Sequence, residues 1–331
     1  MRIIAFVNQK GGVGKTTTTV NLAAKLAERG GKVILIDLDP QAHLTTFLGI
    51  PPGNIKRSSY SVLLREESLE AALIPVRDNI KLLASELNLA AAEQELVSVM
   101  GRETRLRDAI RQYSHKCDYV FIDCPPSLGL LTLNALGAAR EVIIPLQAHF
   151  LSLQGLSQLL ETLLLVQSRI NPELKVSGLV FCMFDSRTTL SGEIVRDIEE
   201  FFNRQREQDN CWRDIRIFQT RIRRNVKLAE SPSYGRTIFE YERNCNGAWD
   251  YNALADELEA MVAGEAETEL AGGDKNAVLH EQLSDPQADN TATSDEQPSV
   301  DTTIILEQAA SEPPVPIELG REEQPISPED N

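Results

Sequence analysis

No stretch of this 331-residue chain reaches 18 consecutive apolar residues, so no segment is expected to span a bilayer. No removable leader is expected either. The first residues, MRIIAFV, run straight into a glycine-rich loop that cleavage would destroy. The five cysteines are odd in number and show no CxxC spacing, which fits reduced thiols in a cytoplasmic protein. Cys124 and Cys182 lie in apolar runs and read as buried structural thiols, with a metal site a poor second. No internal repeat is visible. Aromatic residues are absent after position 263.

Basic residues are scarce in that same stretch. Residues 264–331 hold 2 basic and 17 acidic residues, which supplies −15 of the net −16. Residues 1–263 hold 31 and 32 and are nearly neutral. The stretch is rich in Pro, Ser, Thr, Gln and Glu. It cannot bury enough apolar surface to offset its ordering entropy, so 264–331 reads as an acidic disordered tail behind a folded domain, 1–263. One short apolar run, Thr303-Ile304-Ile305-Leu306, interrupts it as a docking motif or an inert patch.

The folded part alternates buried apolar runs with helical patterns. RIIAFVN, KVILIDLD, IKLLAS, DYVFIDCPP, EVIIPL and VSGLVFCMF read as strands. Helices are expected over 16–29, over 102–114 and along LSLQGLSQLLETLLLVQSRI. This order implies an α/β fold, a mostly parallel twisted sheet with helices on both faces. Such sheets place ligands at the carboxyl ends of their strands.

Three of those strand ends carry chemistry. The first opens into NQKGGVGKTTTTVNLA, which contains KGGVGKT, a P-loop-type pattern ending in G-K-T. In such a loop, backbone N–H groups converge on phosphate at a helix N-terminus. Gly11, Gly12, Val13 and Gly14 form the loop, Lys15 reaches the β- and γ-phosphates, and Thr16 ligates Mg²⁺ with Thr17 behind it. Asp123 ends the strand YVFID and reads as a second Mg²⁺-site residue. Asp37 and Asp39 end VILIDLDP and are expected to face opposite ways. Asp39 is assigned to orient the attacking water, and helix capping is expected of one of the pair. Lys10 precedes the glycines. Its side chain is expected to leave the loop away from Lys15, cross a dimer interface and meet a partner's nucleotide.

KGGVGKTT, ILIDLDPQ, DYVFIDCPPSLGLLTLNAL, VIIPLQAHFLSLQGLSQLL, MFDSRTTLS and RRNVKLAESPSYGR occur in that order. They cover most of residues 1–262 and together resemble the ParA/Soj partition ATPases of the ParA/MinD group of deviant Walker A P-loop ATPases. The resemblance implies a slow ATPase, with ATP and Mg²⁺ as ligands, that forms an ATP-bound homodimer. It implies hydrolytic work for Lys10, Lys15 and Asp39, and adenine near Asn225. Two departures stand out. Ala42-His43-Leu44 replaces the family's Gly-Asn-Ala, and Arg223 replaces a proline. Residues 203–214 read as a small insertion.

Residues 204–227 hold eight Lys and Arg against three acids, a cluster suited to nonspecific binding of phosphate backbones. The plainer reading is a solvated helix face. The resemblance implies nonspecific DNA as a ligand, and Arg187, Arg224 and Lys227 are the expected contacts. It further implies a ParB-like, DNA-bound partner protein that stimulates hydrolysis, a nucleoid location, and chromosome or plasmid partition or the positioning of other cargo. The acidic tail is expected to compete with DNA for the same arginines. A MinD-like membrane-associated positioning ATPase is the alternative, but it needs a basic amphipathic C-terminal helix, and this C-terminus is acidic. A redox ATPase like the nitrogenase iron protein is disfavoured by the cysteine positions.

Overall fold

The computed structural model describes residues 1–273 apart from 52, 54, 150, 151, 208 and 209, with side chains described through Met261. The sequence from 274 onward, and with it most of the acidic tail, lies outside the described residues. The strands are β1 (Arg2–Phe6), β2 (Val33–Asp37), β3 (Ile74–Arg77), β4 (Ile80–Leu83), β5 (Tyr119–Asp123), β6 (Glu141–Leu146), β7 (Lys175–Phe184) and β8 (Arg216–Arg223). The helices are α1 (Lys15–Glu28), α2 (His43–Phe47), α3 (Ser59–Leu64), α4 (Leu69–Ala72), α5 (Leu89–Leu96) and α6 (Arg105–Arg111). They continue with α7 (Leu130–Ala138), α8 (Ser152–Arg169), α9 (Thr189–Gln205), α10 (Val226–Glu230), α11 (Ile238–Tyr241) and α12 (Asn246–Gly273).

The strands form one sheet in the order β3-β4-β2-β5-β1-β6-β7-β8. Every neighbouring pair is parallel except β3 and β4, so the mostly parallel α/β sheet read from the sequence is the fold. The central strands are apolar throughout because both faces are covered. Ile34 and Ile36 pack into one core layer with Val62, Leu89, Leu106, Leu131, Leu156 and Ile194. Val33 and Leu35 point the other way, into a layer with Leu22, Leu44, Ile238 and Leu254. Pleating sends successive residues to opposite faces, so each strand glues two helical layers.

Three local expectations change. The helix read over 102–114 is shortened to Arg105–Arg111, because Gly101 adopts a left-handed φ of 66° and its carbonyl turns back onto the Thr104 N–H. The basic run is not one helix face. Its central part is edge strand β8, whose Phe218 and Ile222 are buried. Finally, Asp37 and Asp39 are not separated by strand pleating, since residues two apart on a strand share a face. β2 ends at Asp37, and Asp39 belongs to the loop that follows.

Candidate functional site

The register aligns the chemistry. Phe6 on β1 and Asp37 on β2 both stand opposite Asp123 on the intervening β5. The loop after β1 therefore leaves the sheet beside two acidic strand ends. Gly12 and Gly14 take left-handed φ values of 72° and 96°, which a side chain would strain. A Cβ on Gly14 would in addition come within 3.4 Å of the Cys182 side chain. Gly14 is the N-cap of α1, and the first turn closes with the Thr18 N–H donating to the Gly14 carbonyl at 2.9 Å. The N–H groups of Lys15, Thr16 and Thr17 have no intrahelical acceptor at that end. They sit at the positive pole of a 14-residue helix.

The side chains around this pole crowd buried carboxyl groups together. Thr16 Oγ1 donates to Asp123 Oδ2 at 2.6 Å. Asp123 Oδ1 is buried without a hydrogen-bond partner. Burial, reinforced by the neighbouring Asp37 charge, pushes the Asp123 carboxyl well above the usual range. Burial likewise pushes Asp37 up to about 7, against hydrogen bonds from Thr45 and Asp39. Lys15 is depressed by burial, opposed by the charges of Asp123, Cys124 and Asp39. An orphaned carboxylate oxygen next to a hydroxyl and a buried lysine is a donor set that fits a hard divalent cation with its phosphate counter-ions.

Asp37 and Asp39 divide their duties. Asp37 Oδ2 accepts from the N–H and the hydroxyl of Thr45, at 2.9 and 2.7 Å. It thereby caps α2 from outside the helix, while the N-cap position itself, Ala42, has no capping side chain. Asp39 accepts the Gln41 N–H at 2.9 Å and sits in the loop above the phosphate pole.

Lys10 is exposed, but its backbone is fixed. Its N–H donates to Asn8 Oδ1 at 2.9 Å, and Asn8 Nδ2 donates to the Pro145 carbonyl at 2.8 Å. The Lys10 carbonyl accepts from Lys15 Nζ at 3.3 Å, so the two lysines meet through the backbone of Lys10. Gln147 Nε2 lies 3.4 Å from the Gly12 carbonyl and joins β6 to the loop. Sequence reading missed Asn8, Gln147 and Thr45. Their hydrogen bonds span 137, 135 and 8 residues, and no local pattern marks them.

The three arginine and lysine candidates converge at another strand end. Phe184 at the end of β7 pairs with Arg223 at the end of β8, so the loop carrying Arg187 adjoins Arg224, and α10 carries Lys227. Arg187 is held by Asp185 at 2.9 and 2.8 Å. That pairing, with the nearby Arg224 charge, drives the Asp185 carboxyl well below the usual range. Lys227 pairs with Glu230 at 2.9 Å. Asn225 accepts the Lys227 N–H at 2.8 Å and caps α10. The other basic residues of the run separate from this group. Arg216 begins β8, roughly 20 Å at strand spacing from its other end, and Arg206 and Arg213 line the same groove as Arg216. The eight charges therefore do not form one cluster, and Arg221 and Arg223 on β8 are paired with Glu199 and Asp250. The cysteines are all free thiols, with Cys124 and Cys182 buried as expected. No helix among the described residues is long and apolar enough to cross a membrane.

Comparison with known proteins agrees with this geometry. A family model described as an AAA domain matches residues 1–176. The chain is 43% identical over 258 residues to the chromosome partitioning protein ParA of Myxococcus xanthus, covering 78% of this chain and 87% of that one. It is 42% identical over 260 residues to the sporulation initiation inhibitor protein Soj of Bacillus subtilis, covering 78% and 98%. Among solved structures it resembles the Mycobacterium smegmatis protein named cobyrinic acid a,c-diamide synthase, which holds ADP and magnesium. That likeness has a TM-score of 0.65 at 37% identity and covers 78% of this chain and 94% of that one.

Proposed function

This chain belongs to the ParA/Soj family of partition ATPases, and from that membership we propose that it is an ATP-dependent dimerising, DNA-binding ATPase of chromosome or plasmid partition. The observation that carries the reading is the Asp123 carboxylate, one oxygen on Thr16 and the other buried and unpartnered beside Lys15. Thr16 and Asp123 would hold Mg²⁺ between them and the phosphates. Bound there, the ion would neutralise charge building on the transferred phosphoryl group.

The chain's own groups supply the rest. Gly11 to Thr17, with Val13 buried beneath the loop, cradle the phosphates with backbone N–H groups, and Lys15 adds the counter-charge. Asp39 has one oxygen on the Gln41 N–H, which leaves the other to orient the attacking water. Lys10, anchored by Asn8 and exposed at its tip, reaches a partner subunit's nucleotide, so ATP joins a homodimer. Asn225 commits its oxygen to the α10 cap, so its amino group is the part that meets the adenine. Hydrolysis to ADP and phosphate is slow alone and rises with a ParB-like partner.

The dimer presents the Arg187, Arg224 and Lys227 corner twice. Doubling the phosphate contacts strengthens nonspecific DNA binding steeply, because each one adds a counterion-release contribution. The ATP-bound protein then resides on the nucleoid, and hydrolysis releases it. A MinD-like membrane role fits less well, since the final turns of α12, GEAETELAGG, hold three glutamates and no base.

A gel shift with a nonspecific duplex, with and without ATP, tests the whole reading. Asp39→Ala should bind ATP and stay on DNA without releasing phosphate. Binding that ignores ATP in both proteins would refute it, and co-pelleting with anionic liposomes but not with DNA would favour the MinD-like role.

A further inference from the structure

Asp39 opens a tight turn, closed by the Ala42 N–H on its carbonyl at 2.9 Å, whose last residue is strained. The chain leaves β2 at Asp37 and must bend twice before α2, and Ala42 adopts a left-handed φ of 53°, a conformation an alanine enters only at a cost. A water-orienting carboxylate in such a loop needs external fixation.

The fixation is a chain of buried side-chain hydrogen bonds from the tip of β4. β2 and β4 pair in parallel as far as Ile36 and Leu83. Beyond that point the ladder ends and hydroxyl groups take over. Ser85 Oγ donates to the Asp39 carbonyl at 2.7 Å. The Ser85 N–H donates to Thr45 Oγ1 at 2.9 Å, and Thr45 Oγ1 donates on to Asp37 Oδ2 at 2.7 Å. Asp37 Oδ1 accepts the Asp39 N–H at 3.1 Å, which closes the circuit. Thr45, Ser85 and Asp37 are wholly buried. Ser59 Oγ, at the start of α3, donates to the Asp37 carbonyl at 2.5 Å from outside the circuit. Both backbone polar groups of Asp39 are thus held, its N–H by Asp37 and its carbonyl by Ser85 as well as by the Ala42 N–H at 2.9 Å.

We propose that Ser85 and Thr45 are positioning residues for hydrolysis, fixing the backbone of Asp39 so that its carboxylate meets the attacking water. The proposal rests on the ATPase reading above and on Asp39 as the water-orienting group. Neither hydroxyl belongs to the phosphate loop, so both act on turnover and leave ATP affinity alone. Losing one tether lets the loop relax toward the ordinary conformations of Ala42. A displacement of an ångström or less at a reacting group costs about ten- to a hundredfold in rate.

The test compares Ser85→Ala, Thr45→Val and Thr45→Ser with the wild type in single-turnover hydrolysis at saturating ATP, together with calorimetric ATP affinity and thermal melting. Thr45→Val keeps the shape and removes the hydroxyl, whereas Thr45→Ser keeps the hydroxyl. Ile198→Val, a buried change on distant α9, supplies a control for lost stability. We expect Ser85→Ala and Thr45→Val to lose about tenfold in turnover at unchanged ATP affinity, and Thr45→Ser and Ile198→Val to keep the wild-type rate. Wild-type turnover in Ser85→Ala, ATP affinity falling in step with turnover, or an equal loss in Ile198→Val overturns the proposal. If Thr45→Val fails to fold, Ser85→Ala decides alone. Absence of hydrolysis in the wild type, or full hydrolysis in Asp39→Ala, removes the parent reading and this proposal with it. Hydrolysis lost in Asp39→Ala but intact in Ser85→Ala removes the positioning role only.

Discussion

Asp250 holds Arg223 by both backbone and side chain. Its Oδ2 accepts the Arg223 N–H at 2.9 Å while Oδ1 accepts Nη2 at 2.5 Å. The pair pins the first turns of α12 to the end of β8. The arginine is thus an anchor for the last helix.

Asp250→Ala should therefore destabilise the domain without touching the phosphate loop. The carboxylate is nearly buried but the guanidinium is 45% exposed, so screening trims the loss to about 1–2 kcal/mol. Urea unfolding should show a lower midpoint at unchanged slope, with ATP affinity intact. A midpoint equal to the wild type would mean that the helix is held elsewhere.

The two lysines of the loop should separate binding from assembly. Lys15→Ala removes the buried counter-charge beside Asp123 and Asp39 and should abolish ATP binding in calorimetry. Lys10→Ala leaves the backbone bonds to Asn8 and Lys15 in place. It should bind ATP within a few-fold of normal yet remain monomeric in ATP by light scattering. A dimeric Lys10→Ala protein would remove the cross-subunit role.

At the basic corner, charge should act in both directions. Arg224→Glu should lose DNA binding while ATP-driven dimerisation persists. Asp185→Ala should do the opposite, because it frees Arg187 from its carboxylate clamp and deletes a negative charge. For every DNA phosphate newly neutralised or released by a subunit, the slope of log affinity against log salt should change by about 0.9. Equal affinities for Asp185→Ala and wild type at low salt would show that the clamp does not compete with DNA.

Stability should carry a pH signature of Asp37. Burial raises its folded pKa from 3.8 to about 7, so the folded state holds the proton more tightly than the unfolded chain. Below 3.8 both states are protonated and there is no cost. Between 3.8 and about 7 the unfolded chain ionises first, and stability is lost progressively, with a total on the order of a few kcal/mol. Asp37→Asn cannot ionise. Its stability relative to the nucleotide-free wild type should rise between about pH 4 and pH 7 and level off above. A difference that stays flat across that window would place the Asp37 pKa near its ordinary value.

The phosphate loop, the acid-tipped strands and the parallel α/β order were legible in the sequence because each is a local pattern. Gly12, Gly14, Lys15 and Thr16 lie within five positions, and a strand buried on both faces must be apolar throughout. The short α6 was not legible, since it depends on a left-handed Gly101 rather than on periodicity. The basic run was misread as one unit because counting charges along a chain ignores the direction of the strand that bears them.

By itself, then, the sequence determined the nucleotide loop, the sheet and the acids at its edge, all written at short range. Tertiary structure alone decided which side chains serve them. Asp37, Thr45 and Ser85 are separated by 8 and 40 residues and meet only because β2 pairs with β4. Arg187 and Arg224 share a corner only because β7 pairs with β8. Strand pairing is a long-range choice made by burying both faces of the sheet, and it sets these distances without leaving a pattern in the chain.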